Sequence, residues 1–272
     1  MFKNEITVIR KSKHIKQMKY EIITQSIGIA MLPNLSGIYA NNDIPGYKKL
    51  FTSGLRYILL LAIPVFAACV TLNELIMRTL FFNSSRMTEA DVALTASILA
   101  FYSSALITQS INTILTRAFY ACNETKTPML TGLSIICLNI LLSVLFYYYT
   151  GIGVRGMALT YAISSLVNTV LLVFLLNRKV PSLNALGGLR AYLAKTGGAA
   201  LAMSAALIML NRLLPAGFVA GPFSLSLKLR QVLLLDANTA VGALIYFGLL
   251  VLFRLPEISV IMGNIKKRLR LY

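Results

Sequence analysis

Apolar positions in this chain are gathered into long runs instead of recurring at every second or every third to fourth residue. Six of the runs, Gly54–Thr79, Ala90–Thr116, Met129–Tyr149, Met157–Leu176, Leu189–Leu214 and Val232–Phe253, hold twenty residues or more. At 1.5 Å per helical residue, each is long enough to cross roughly 30 Å of hydrocarbon, so each predicts a membrane-spanning helix. A seventh run, Ile22–Leu32, is too short to cross. It reads as the second half of a span, or alternatively as an interfacial helix lying flat beneath a basic arm. The expected fold class is all-α: a polytopic membrane helix bundle with six full transmembrane helices plus one partial.

Polar residues punctuate the runs. The stretch Pro33–Phe51 (PNLSGIYANNDIPGYKKLF) is rich in turn residues and reads as a loop leading to the first full span. Pro64, inside that span, removes one helical hydrogen bond; a neighbouring helix is expected to satisfy the freed carbonyl, which favours a packing role over a moving one. Thr88 with Asp91 approximates a capping box, and Glu74 is within reach of Arg78. The helix that follows carries Ser103, Ser104, Thr108, Gln109, Ser110, Asn112 and Thr113, too many polar groups for lipid on every side. One face must meet protein or a water-filled cavity. Gln109, Asn112 and Thr113 fall within about one turn and are the candidate cavity-facing, substrate-binding residues; the alternative for the set is hydrogen bonding between helices.

The hinge Arg117–Pro128 (RAFYACNETKTP) joins two full spans. Pro128 suits the first turn of the second, with Asn123, Thr125 or Thr127 as its cap. The short turn TGIGVRG makes its two flanking helices antiparallel neighbours. Tyr147–Tyr149 read as an interfacial aromatic belt, and Gly197–Ala200 permit close backbone approach.

Composition narrows the class. The chain is 57% hydrophobic and 13% charged, with mean hydropathy +0.73, whereas soluble domains lie nearer ~45–50% and ~25%. It is an integral membrane protein. A net charge of +17 suits nucleic acid only where basic residues share a folded, soluble face with aromatics. Here they sit at the ends of apolar runs, which indicates membrane topology and anionic headgroups, with no nucleic-acid partner. If Arg117 and Lys126 place the hinge in the cytoplasm, fourteen of the 26 Lys and Arg residues fall inside and six outside, with six more in the basic arm of residues 1–20. The carboxy terminus is then cytoplasmic. Cys69, Cys122 and Cys137 have no metal-ligand spacing, the single histidine, His14, lies in the arm, and the spans hold no carboxylate pair. No catalytic residue, metal or cofactor is expected. The arm is followed by residues 21–179, a partial span and four full ones, and by residues 180–272, two further spans and a basic tail.

Five blocks in fixed order, AMLPNLS (Ala30–Ser36), GLR (Gly54–Arg56), MTEAD (Met87–Asp91), RAFYACNETKTP and GVRGMALTYAISSLVNTVLL (Gly153–Leu172), resemble the carboxy-terminal half of the MurJ/MviN-type lipid II flippases. The hinge is the most specific block, with signature residues Arg117, Phe119, Tyr120, Glu124, Lys126, Thr127 and Pro128. Two positions depart from the family pattern: Ser84 stands where glycine is usual, and Glu124 where aspartate is usual. The last two spans resemble the family in hydropathy alone.

The resemblance implies the multidrug, oligosaccharide-lipid and polysaccharide exporter superfamily, whose members rock two helical lobes about a central cavity. It implies a transporter, not an enzyme: a flippase of the bacterial inner membrane, partnered by membrane lipids and a polyprenyl-diphosphate-linked peptidoglycan precursor, with its last two helices lining a groove for the polyprenyl tail. The family's first lobe and its cavity arginines have no counterpart in this sequence. One expectation is therefore a carboxy-terminal fragment completed by the first lobe as a separate chain. Another is a truncated or split product without independent transport, a structural partner of another membrane chain. A related oligosaccharide-lipid exporter is the third.

Overall fold

The computed structural model describes residues 20–81, 88–149, 154–180, 189–213, 227–255 and 257–258. They form eight helices: α1 (Tyr20–Ala40), α2 (Ile44–Thr71), α3 (Asn73–Phe81), α4 (Glu89–Ala121), α5 (Lys126–Tyr149), α6 (Val154–Lys179), α7 (Arg190–Leu213) and α8 (Leu227–Leu252). All but α1 and α3 are long and apolar enough to cross a membrane. The basic arm before Tyr20, Ser84, Arg86 and the tail cations fall outside the described residues.

Three turns are made by one device. Asn42, Asn123 and Arg254 have left-handed φ values of 54°, 55° and 49°. At each, the next residue's N–H reaches back five residues while the residue's own N–H reaches back three: Asp43 to Ile38 and Asn42 to Tyr39, Glu124 to Phe119 and Asn123 to Tyr120, Leu255 to Leu250 and Arg254 to Val251. This pairing is the Schellman motif, which satisfies the last carbonyls of a helix and reverses the chain at once.

The loop expected over Pro33–Phe51 is corrected to three residues. Helix α1 continues through Pro33 to Ala40, and Asp43 caps α2 by accepting from Gly46 N at 2.9 Å, with Pro45 in the first turn. Turn-rich composition is outweighed because this stretch has core to fill: Leu35, Tyr47 and Phe51 are fully buried. Helix α1 does not lie apart as an interfacial helix. Gly28 packs on the side chains of Thr113 and Arg117, and α1 contacts both α2 and α4. The first full span likewise starts earlier than expected, at Ile44, and is broken at buried Leu72, after which α3 carries Glu74 and Arg78 as a separate short helix.

Pro64 lies inside α2. Lacking an N–H, it cannot bond the carbonyl four residues back, that of Leu60. The hydroxyl of Tyr246, fully buried on α8, donates to that oxygen at 3.1 Å. A second tyrosine, Tyr192 at the start of α7, donates to the Arg56 carbonyl at 2.6 Å. The α7–α8 pair is thus fastened to α2 by hydroxyl-to-carbonyl bonds as well as by packing. The main core runs through Leu55, Ile58 and Leu59 of α2, Ile114, Leu115 and Phe119 of α4, Leu172 and Leu176 of α6, and Tyr246 and Leu250 of α8.

Helix α4 starts at the expected capping box: Thr88 Oγ1 accepts from Asp91 N and Asp91 Oδ2 accepts from Thr88 N. Its neighbours at this end are tied in by Arg78, which bridges Glu74 and Glu89. Helix α5 packs chiefly on α6 and has no buried residue. Its outer face exposes Leu133, Ile136, Ile140, Leu141 and Val144, and the hydroxyl of exposed Ser134 is satisfied by the Leu130 carbonyl of the same helix at 3.0 Å, as a lipid-facing surface requires.

Candidate functional site

The polar residues of α4 meet α6 in a seam of hydrogen bonds. Ser165 lies at its centre: its hydroxyl contacts Thr108 Oγ1 at 2.8 Å and donates to Gln109 Oε1 at 3.2 Å. The Ser165 carbonyl accepts from Asn112 Nδ2 at 3.3 Å and from Thr169 Oγ1 at 2.9 Å. Gln109 and Asn112 are therefore brought together on one residue of the neighbouring helix, and Asn112 is only 5% exposed. Thr113 stands apart from them, with its hydroxyl donating to the Gln109 carbonyl of its own helix and its methyl against Gly28 of α1. A second row joins α5 to α6, Asn139 Nδ2 to Ser164 Oγ at 3.2 Å and Ser143 to Thr160 at 2.9 Å. Thr160, Ser164, Ser165 and Thr169 had a signal in the sequence, as hydroxyls recurring within an apolar helix.

Five of the hinge signature residues, Arg117, Phe119, Tyr120, Glu124 and Thr127, make contacts that hold the turn. Phe119 is buried in the core, and Ala118 beside it accepts from Tyr47 Oη at 2.7 Å. Arg117 Nη2 donates to Gln25 Oε1 at 3.1 Å and its guanidinium lies over the Tyr120 ring. Of the expected caps Asn123, Thr125 and Thr127, Thr125 takes the N-cap position of α5, its carbonyl accepting from Met129 N at 3.3 Å, but the capping side chain is that of Glu124. Its Oε1 accepts from Thr127 N at 3.4 Å and Thr127 Oγ1 at 3.2 Å, while Oε2 pairs with Lys179 Nζ at 3.3 Å. A carboxylate suits the positive end of a helix better than a neutral cap, and Asn123 is already committed to the left-handed turn.

Lys179, then the Thr127 donors, hold the Glu124 carboxyl below the usual carboxylate range. A depressed value in the folded state means the stabilisation is complete above the unfolded value of about 4.3 and fades as pH falls through the folded one. We expect amide exchange over residues 125–129, corrected for intrinsic rate, to accelerate only in that acid range, and Lys179→Ala to move the onset to higher pH. An onset that Lys179→Ala leaves in place would remove the ion pair as its cause.

Sequence reading missed a third polar cluster. Arg56 Nη1 pairs with Glu257 Oε1 at 3.1 Å, and the Arg56 guanidinium lies over the Tyr192 ring. The left-handed turn at Arg254 folds the chain back so that Leu255, Glu257 and Ile258 are all buried. Two apolar cavities flank α2. One, about 370 Å³, lies between α1 and α2 and is lined by Ile27, Met31, Gly54 and Tyr57 among others. The other, about 500 Å³, lies between the far half of α2 and α7, with Phe66, Val70, Ile107, Leu193, Gly197 and Leu201 in its walls. Neither includes Gln109, Asn112 or Thr113. Gly197 contributes to the room, because a Cβ built there would meet nothing within 4 Å.

Curated relatives match more than half of the chain. A protein of Buchnera aphidicola from the pea aphid, described as a probable lipid II flippase MurJ, is 35% identical over 165 residues, which are 60% of this chain and 31% of that protein. One of Treponema pallidum with the same description is 27% identical over 179 residues, 64% of this chain and 34% of its own length. The chain thus spans about a third of the curated relatives it matches. A solved structure, lipid II flippase MurJ in an inward closed conformation, superposes with a TM-score of 0.61 at 20% identity, covering 91% of this chain and 48% of that one; this likeness establishes the fold. The family model described as lipid II flippase MurJ matches residues 3–228, and on that span the chain belongs to the MurJ family.

Proposed function

We propose that this chain forms the second lobe of a flippase for a lipid-linked peptidoglycan precursor in the bacterial inner membrane, with the α4–α5 turn and the carboxy terminus in the cytoplasm. The family match over residues 3–228 carries the reading. The 500 Å³ cavity beside α7 supports it, since an apolar trough walled by α2, α4 and α7 suits a hydrocarbon chain and supplies no charge for a diphosphate. The headgroup cations belong to the other lobe. Translocation therefore requires that lobe, as a separate chain or a joined one, and the second lobe by itself is inactive. In cells depleted of their own flippase, the chain alone should leave lysis unchanged, while co-expression with the first lobe of a relative should restore growth. Rescue by the chain alone would overturn the division of labour; failure of both would overturn the flippase reading.

Gln109 and Asn112, on this reading, lock α4 to α6, and their bonds to Ser165 support that role over contact with cargo. Each such interhelical bond is worth about 0.6 kcal/mol in membrane proteins. Asn112→Leu, measured in a full-length relative, should lower thermal stability slightly while leaving flipping per folded molecule intact. Lost flipping at unchanged stability would return Asn112 to the cargo path.

A further inference from the structure

Helix α2 is fastened along one half and loose along the other, with Pro64 at the boundary. From Gly54 to Ile63, seven of ten residues are buried; from Val65 to Thr71, Ala67 alone of seven is. The three polar links to the α7–α8 side, at the Arg56 side chain, the Arg56 carbonyl and the Leu60 carbonyl, all lie before the proline. Beyond it, Phe66, Ala67, Val70 and Thr71 face the 500 Å³ cavity across from Gly197 and Leu201. The segment ends at Leu72, where the helix breaks before α3. Val65–Thr71 is therefore a rod of under two turns between two interruptions of the backbone ladder, with open volume on one side.

We propose that Val65–Thr71 is a gate on the cavity, pivoting at Pro64, and that the Tyr246 hydroxyl on the Leu60 carbonyl sets its resting angle. A proline leaves the turn before it one bond short, so bending there breaks no further hydrogen bond. The carbonyl released by bending needs a partner in an apolar interior, and Tyr246 supplies one from the opposite wall of the helix pair. Without that partner, the turn gains by tilting its oxygen toward any other donor. The second half of the inference rests on the proposed function: a polyprenyl chain entering between α2 and α7 fills the space the gate would otherwise swing into, so occupancy and gate angle are coupled.

Spin labels at Val70→Cys and Leu201→Cys, in the full chain with its native cysteines replaced and in nanodiscs, report the width of the gate; labels at Lys49→Cys and Arg190→Cys report the fastened half. The first pair should show two distance components and the second pair one. Pro64→Ala, which restores the missing bond, should abolish the longer or the shorter component of the first pair, and Tyr246→Phe should change their ratio. A polyprenyl phosphate added to the nanodiscs should shift the first pair toward the longer distance and leave the second unmoved. If neither substitution alters the Val70–Leu201 distribution, the gate is refuted; should Pro64→Ala fail to fold, an unaltered distribution in Tyr246→Phe is enough to refute it. A distribution that responds to the substitutions but not to the lipid keeps the gate and refutes the hydrocarbon-chain reading of the cavity.

Discussion

Arg56→Leu is expected to destabilise the bundle by about 3 kcal/mol, the lower end of what removing one partner of a buried ion pair costs. The lower end applies because the two partners are unequal: the Glu257 side chain is 7% exposed and that of Arg56 32%. Taking away the arginine strands a carboxylate already short of partners, since among the described residues buried Glu257 Oε2 has no hydrogen bond. Glu257→Gln should cost less, as an amide can still accept from Arg56 and the guanidinium it leaves without a counter-charge is partly exposed. Replacing both residues by Leu should recover much of the loss, because a buried pair is worth little against well-packed apolar side chains. The exposed Arg78 network is the contrast. Arg78→Leu breaks contacts to two glutamates yet should cost less than about 1 kcal/mol, because both glutamates stay solvated. Thermal unfolding of the four variants in detergent decides the matter. Equal losses for Arg56→Leu and Arg78→Leu would mean that burial at Glu257 does not control the energetics.

The contrast between these two arginines also marks what the sequence disclosed. Arg78 sits four residues from Glu74, so their pairing follows from helical spacing alone. Arg56 and Glu257 are 201 residues apart, and no local pattern announces that they meet. The same division holds for the fold. The six spans were legible because lipid demands about twenty apolar residues of each, and the Thr88–Asp91 cap because its partners are three apart. The extent of α1 was hidden: Pro33, Asn34, Ser36 and Gly37 spell a turn, and only the burial of Leu35 among other helices overrides them. At the candidate site, the crowding of polar side chains on α4 foretold a protected face, but no local pattern could place Ser165 of α6 opposite Asn112. The Glu124 cap was missed for a different reason. Asn123 is the better cap by type, and its competing use at the left-handed turn emerges from backbone geometry alone.

Removing the Tyr246 hydroxyl should prove costly for a change of one atom. Tyr246→Phe preserves the ring's packing against the core and leaves the Leu60 carbonyl with neither a helical nor a tertiary donor. An acceptor buried without a partner costs about 1–3 kcal/mol, more than the roughly 1 kcal/mol net worth of an ordinary hydrogen bond, and no water is available to share the loss in an apolar interior. The size of the effect should depend on Pro64. In a Pro64→Ala background the residue at 64 regains its N–H, the Leu60 carbonyl has its helical donor back, and the tyrosine hydroxyl becomes dispensable. The two substitutions should therefore be strongly non-additive, with Tyr246→Phe costing about 1–3 kcal/mol beside proline and close to nothing beside alanine. Chemical unfolding of the wild type, both single variants and the double variant in one detergent measures that coupling directly. Additive losses would mean that Tyr246 stabilises the bundle by packing alone, and that the carbonyl freed by Pro64 finds its donor elsewhere.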